Sequence, residues 1–113
     1  MTMKSTIQFL KTIADQNRLL ILFLLKKHTL CVCDLQQVIP LTQGALSIQL
    51  KSLSSGGLLD KQRQGKWVFY RLAENIDPAY LTILFQLFEK IENSASVTES
   101  ISKLTITETC KIN

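Results

Sequence analysis

The chain has 113 residues, of which 46% are hydrophobic and 19% charged, and its net charge is +4. This describes one folded domain with one modest core, too apolar for a disordered chain and positive enough to suit a polyanionic partner. The longest apolar run, Leu19–Leu25, has seven residues against the roughly 20 that span a bilayer. No membrane segment or cleavable leader is expected, so the chain reads as cytoplasmic.

Ile7, Leu10, Ile13 and Ala14 predict a first amphipathic helix. Asp15 then caps a second, whose sequence LLILFLL is apolar nearly all round, the mark of a central, buried helix. Lys26, Lys27 and His28 fall in its last turn, where positive charge suits the helix dipole; His28 reads as a surface or cap residue. A further helix is expected over residues 29–39, with Leu35, Val38 and Ile39 inward and Pro40 ending it.

The stretch that organises the chain is LTQGALSIQLKSLSSGGLL, residues 41–59. Leu46, Leu50 and Leu53 form one buried stripe, Thr42 can cap the helix and Gly56-Gly57 can close it. Gly44, Ser47, Ile48 and Lys51 fall opposite that stripe. This outward face is small, polar and without acid, bare enough to lie against another macromolecule. Two helices around Pro40-Leu41-Thr42 form a helix-turn-helix pattern, in which the second helix enters the major groove of DNA.

Residues 58–62 and 67–72 are strand-like runs around Arg63-Gln64-Gly65-Lys66, a hairpin loop with glycine at its tip. Val68, Tyr70 and Leu72 are expected to face the core, and Trp67, Phe69 and Arg71 to face out. Lys61, Arg63, Lys66 and Arg71 are opposed only by Asp60. A basic hairpin directly after a helix-turn-helix is a wing, placed to touch phosphates or the minor groove. The expected fold is therefore mainly α with a small β-hairpin, a winged helix-turn-helix.

Asp77-Pro78 starts the last clear helix, with Tyr80, Leu84, Leu87, Phe88 and Ile91 along one face. Leu81, Ile83 and Phe85 add apolar surface beyond what one small core needs, which points to a second subunit. Residues 1–92 are expected to form the DNA-binding and dimerisation domain. From Asn93 the chain is rich in Ser and Thr, and residues 93–113 are a tail whose structure the pattern does not choose.

In this order and spacing, ADQNRLLILFLL, LCVCDL, LTQGALSIQLKSLSSGGLL and RQGKWVFYRL resemble the ArsR/SmtB family of bacterial winged-helix repressors, over residues 7–91. The resemblance implies a homodimer, joined through its first and last helices, that binds a pseudo-palindromic operator and leaves it on binding an inducer. By position in the motif, Gln43, Ser47 and Gln49 match residues that read or flank bases, with Gly44 and Ile48 on the same helix face. Lys51, Arg63 and Lys66 match residues that hold the backbone. Gln49 stands where histidine is commoner, and Ile48 where a polar or basic residue is often found. On chemistry alone, glutamine can bond an adenine edge at two points, and Ile48 can meet a thymine methyl.

Cys31 and Cys33, in Leu30-Cys31-Val32-Cys33-Asp34-Leu35, form the second candidate site. On a regular helix, residues i and i+2 point about 200° apart and cannot share an ion. At an extended helix start they point alike, or an ion can distort the first turn; either way binding would deform the helix that supports the reading helix. Soft thiolates select As(III), Sb(III), Cd(II), Pb(II) or Zn(II). The motif resembles that of arsenite- and cadmium-sensing family members, which makes As(III) or Sb(III) the leading inducer and Cd, Pb or Zn the alternative. No resident cofactor is required. Arsenite sensors of this pattern commonly carry a third cysteine at the position held here by Gln36, so a third ligand would be Cys110, an external thiol or water. A thiol redox switch, with oxidants or sulfide sensed through Cys33 and Cys110, and an inert inherited pair are the other readings of the thiols. A winged-helix protein-interaction module without DNA binding is the rival from another class. An enzyme is not expected: there is one histidine, no glycine-rich phosphate loop and no base–nucleophile pairing.

Overall fold

The computed structural model describes residues 2–93. The tail from residue 94, with Cys110, lies outside them. In chain order the elements are α1 (Met3–Ile13), α2 (Gln16–Lys27), β1 (Leu30–Cys31), α3 (Val32–Gln36), α4 (Gln43–Ser55), β2 (Leu59–Gln64), β3 (Trp67–Leu72) and α5 (Pro78–Glu92). Helices α3 and α4 are the helix-turn-helix, and β2–β3 form the wing. The fold is a winged helix-turn-helix. No helix among the described residues is long and apolar enough to cross a membrane.

Helix α2 is the centre of the molecule. Leu20 through Leu25 are all buried, as its continuous apolar sequence requires. The Asp15 carboxylate accepts the Arg18 N–H at 3.0 Å to open the helix. Leu46, Leu50 and Leu53 of α4 are wholly buried beside it, each such leucine contributing roughly 1.5–3 kcal/mol by leaving water. Helix α5 closes the core with Leu84 and Phe88, also wholly buried, and the Phe88 ring meets Phe23 edge-on with centroids 5.6 Å apart.

The first helix is rotated from the expected face. Phe9, Thr12 and Ile13 are buried, whereas Ile7 and Leu10 are 43% and 44% exposed and Ala14 is an exposed cap. The rotation is fixed by Phe9, which stacks on Tyr80 of α5 with ring centroids 4.2 Å apart. Ile7, Leu10, Ile83 and Phe85 are therefore exposed apolar side chains on the first and last helices.

Three other expectations are corrected. The segment 29–39 is not one helix: Leu30 and Cys31 are extended and pair with Tyr70 and Phe69, giving a three-stranded antiparallel sheet of order β1-β3-β2. A two-residue strand has no periodicity to read, and its partners lie nearly 40 residues downstream. The wing strand also has two covered faces. Tyr70 and Leu72 pack on the main core as expected, but Phe69 is the most buried residue of β3, at 8% exposure. Its face is covered because β1 brings Cys31 beside it, an effect invisible while β3 is taken as half of a lone hairpin.

The hairpin is tighter than expected. Gln64 still pairs with Trp67, so only Gly65 and Lys66 make the turn, and Gly65 has φ +61°. A two-residue turn that needs positive φ at its first central position suits glycine there.

Candidate nucleic-acid interface and thiol site

Helix α4 starts at Thr42, whose Oγ1 accepts the Ala45 N–H at 3.2 Å. Its three buried leucines fix its rotation, and Gln43, Gly44, Ser47, Ile48 and Lys51 are all exposed. Ile48 is 70% exposed, an unusual position for a large apolar side chain with nothing against it. On the wing, Arg71 pairs with Glu74 at 3.4 Å, while among the described residues no ion pair engages Lys51, Lys61, Arg63 or Lys66. Lys66 extends over the Trp67 ring, 5.6 Å from its centroid. The bare helix face and these free cations are what a phosphate-lined groove would meet.

Gln49 differs from its neighbours. It is half-buried on the flank of α4, and its Oε1 accepts from Arg18 Nη1 at 2.8 Å. A two-point bond to adenine needs both amide atoms, and this bond already holds one of the two lone pairs of the Gln49 oxygen, leaving its NH2 donors as the unconstrained end. Sequence reading missed Arg18, since a single arginine at the head of a mostly apolar helix carries no pattern.

The thiols meet because of the extended helix start. Cys31 ends β1 and is the N-cap of α3, with φ −91° and ψ 174°; Cys33 lies one residue inside the helix. This brings both sulfurs and a carboxylate oxygen of Asp34 within 4.8 Å of one another. Two thiolates on a tetrahedral ion with 2.3 Å bonds lie about 3.8 Å apart, so little closure is needed to share one. Cys31 is buried and Cys33 exposed, which gives the pair an open side. Asp34, wholly buried, accepts the Cys31 N–H on Oδ2 at 3.3 Å. Sequence reading missed Asp34, although its place three residues after the cap was the signal: it completes a capping box with cysteine in the role usual for serine.

Cys31 and Cys33 open on a cleft of about 280 Å³ whose other walls are Val32, Gln36, Gln43, Lys66, Trp67 and Val68. One cavity is thus lined by the thiols, the first residue of α4 and the turn of the wing. Trp67 is the only tryptophan of the chain, so ion binding at the thiols should change its emission. We expect saturable quenching on titration of the reduced protein with arsenite. Quenching that persists undiminished in Cys31→Ser would mean the ion lies elsewhere.

The family model described as bacterial regulatory protein, arsR family, matches residues 15–61, from the cap of α2 into β2. The biofilm growth-associated repressor of Agrobacterium fabrum is 34% identical over 79 residues, which cover 70% of this chain and 68% of that one. The chain belongs to the arsR family of bacterial regulatory proteins. Among other arsR-like relatives, the arsenical resistance operon repressor of Escherichia coli (strain K12) is 45% identical over 75 residues, 66% of this chain. The match spans 63% of that repressor's length, a little under two thirds. The crystal structure of the transcriptional repressor BigR from Xylella fastidiosa has a TM-score of 0.67 and 30% identity, covering 81% of this chain and 91% of that one.

Proposed function

We propose that this arsR-family chain is one subunit of a homodimeric, cytoplasmic DNA-binding repressor that leaves its operator when a thiophilic inducer binds Cys31 and Cys33. The observation that carries the reading is the shared cleft: the thiols, Gln43 at the head of α4 and Lys66 on the wing line one cavity. An ion drawing the sulfurs together pulls on the start of α3. The body of α3 packs on α4, so the reading helix feels the strain. As(III) or Sb(III) suits a dithiol, and Cys110 would supply a third thiolate. The name of the Escherichia coli relative supports arsenic.

One observation favours a second reading of the inducer. The Asp34 carboxylate, close to both sulfurs, adds an oxygen donor that suits Zn(II) or Cd(II) better than As(III). Binding releases protons, since the thiols coordinate as thiolates, and apparent affinity is expected to rise with pH.

On DNA, Gln43, Gly44, Ser47 and Ile48 lie in the major groove, with Gln49 donating from the flank. Lys51, Arg63 and Lys66 hold phosphates. Gln43→Ala is expected to relax sequence preference. Lys66→Ala is expected to weaken binding to every duplex alike and to flatten the salt dependence by about one unit of slope. A sequence-selective loss in Lys66→Ala would remove the wing from the backbone contacts.

The deciding experiment is an anaerobic titration of the reduced protein on labelled duplex selected from a random pool. Binding that falls with salt and is reversed by arsenite, or by cadmium, supports the repressor. Binding to no duplex at any salt would leave the protein-interaction reading in its place. Binding indifferent to both ions but lost on oxidation would make the thiols a redox switch.

A further inference from the structure

Arg18 joins three helices, and it has no part in the thiol site and touches the groove-facing residues only through Gln49. Its side chain is 21% exposed. Nε donates to the carbonyl of Thr12 at 2.6 Å, Nη2 to the carbonyl of Lys11 at 3.3 Å, and Nη1 to Gln49 Oε1 at 2.8 Å. Lys11 and Thr12 lie in the last turn of α1, where carbonyls lack helical N–H partners and form the negative end of the helix dipole. Gln49 lies in the middle of α4. A guanidinium has donors only, so the amide atom that faces it must be the oxygen; the orientation of Gln49 is fixed by chemistry. The apolar contact between α2 and α4 resists separation but tolerates sliding of about 1–2 Å, as packed helices do. A planar fork with bonds in several directions removes that freedom, and lysine cannot replace it.

We propose that Arg18 is a positioning residue for DNA reading. It fastens α4 to the C-terminal end of α1, so the helix that meets the second subunit and the helix that enters the groove move as one piece. This rests on the dimeric DNA-binding reading above. In such a dimer the fastening sets the distance between the two reading helices, which must match half-sites about 34–36 Å apart. Arg18 thereby selects operators by their spacing, besides orienting the Gln49 amide.

The test compares wild type, Arg18→Gln and Arg18→Lys on the selected duplex and on versions with one base pair inserted or removed between its half-sites. The wild type is expected to lose about tenfold or more on either change, and both variants to lose about tenfold on the best duplex while discriminating spacings less than about threefold. The salt slope of Arg18→Gln stays that of the wild type, because Arg18 touches no phosphate. Uniform weakening with spacing preference intact overturns the proposal. So does a slope reduced by about one unit, which would make Arg18 a backbone contact. Thermal melts of Arg18→Gln, Gln49→Ala and the double variant read the bond without DNA. Non-additive losses are expected, and additive losses overturn the fastening. If the wild type binds no duplex, the DNA-binding reading is what fails, and the melts alone decide whether α4 is fastened.

Discussion

Cys33→Ser is expected to abolish release from the operator by arsenite while leaving operator affinity without inducer within about twofold of wild type. Cys33 is exposed and makes no part of the buried core, so exchanging sulfur for oxygen there spares the fold. What it removes is one arm of a chelate. A ligand held by two thiolates gains from the high effective concentration of the second, and losing it costs about a hundredfold or more in affinity. Arsenite titration against labelled operator measures this directly. A response unchanged in Cys33→Ser would exclude the dithiol as the sensor. Cys31→Ser is the less clean variant, because Cys31 also caps α3 and pairs in the sheet, and serine is itself a strong cap. Asp34→Asn sorts the inducers: cadmium affinity should fall with loss of the carboxylate, and arsenite affinity should hardly change.

Phe85→Glu should have an effect as large on DNA by another route. Phe85 is 39% exposed on α5, and Met3, Ile7, Leu10 and Ile83 add large exposed apolar side chains on α1 and α5. If these side chains meet the second subunit, a carboxylate among them would have to be buried, at a cost no small apolar contact offsets. The folded subunit tolerates it, since Lys26 stands 5.4 Å from that ring and can pair with the new charge. The expected result is a folded monomer by sedimentation. Two linked reading helices gain roughly 10²–10⁴ over one, and operator affinity should fall by that factor. A variant that stays dimeric would put the subunit contact elsewhere.

The parts of this molecule legible in its sequence are those with a repeating signal. Leu46, Leu50 and Leu53 announced α4 and its outward face; LLILFLL announced the central helix; Asp77-Pro78 announced α5, where Asp77 Oδ1 accepts the Ala79 N–H at 2.9 Å. What stayed hidden depends on long-range partners. The strand Leu30–Cys31 exists because β3 offers it hydrogen bonds, and Phe69 is buried because that strand arrives. Ile7 and Leu10 have the right spacing for a core, yet Phe9 turns them outward by stacking on Tyr80. The thiol pair was visible as residues, and its geometry was one of two alternatives. The extended backbone at Cys31 decided between them. Arg18 and Asp34 carry polar contacts that no spacing rule describes.

The double membership of Cys31 has a consequence for how such a protein would come off DNA. It sits opposite Phe69 in the strand that leads out of the wing, and the same residue opens α3, the helix packed on α4. A pull on one sulfur therefore has two lever arms with a common pivot. Departure would be concerted: a protected footprint that disappears whole at every inducer dose, with no intermediate in which the flanks are bare and the centre still covered.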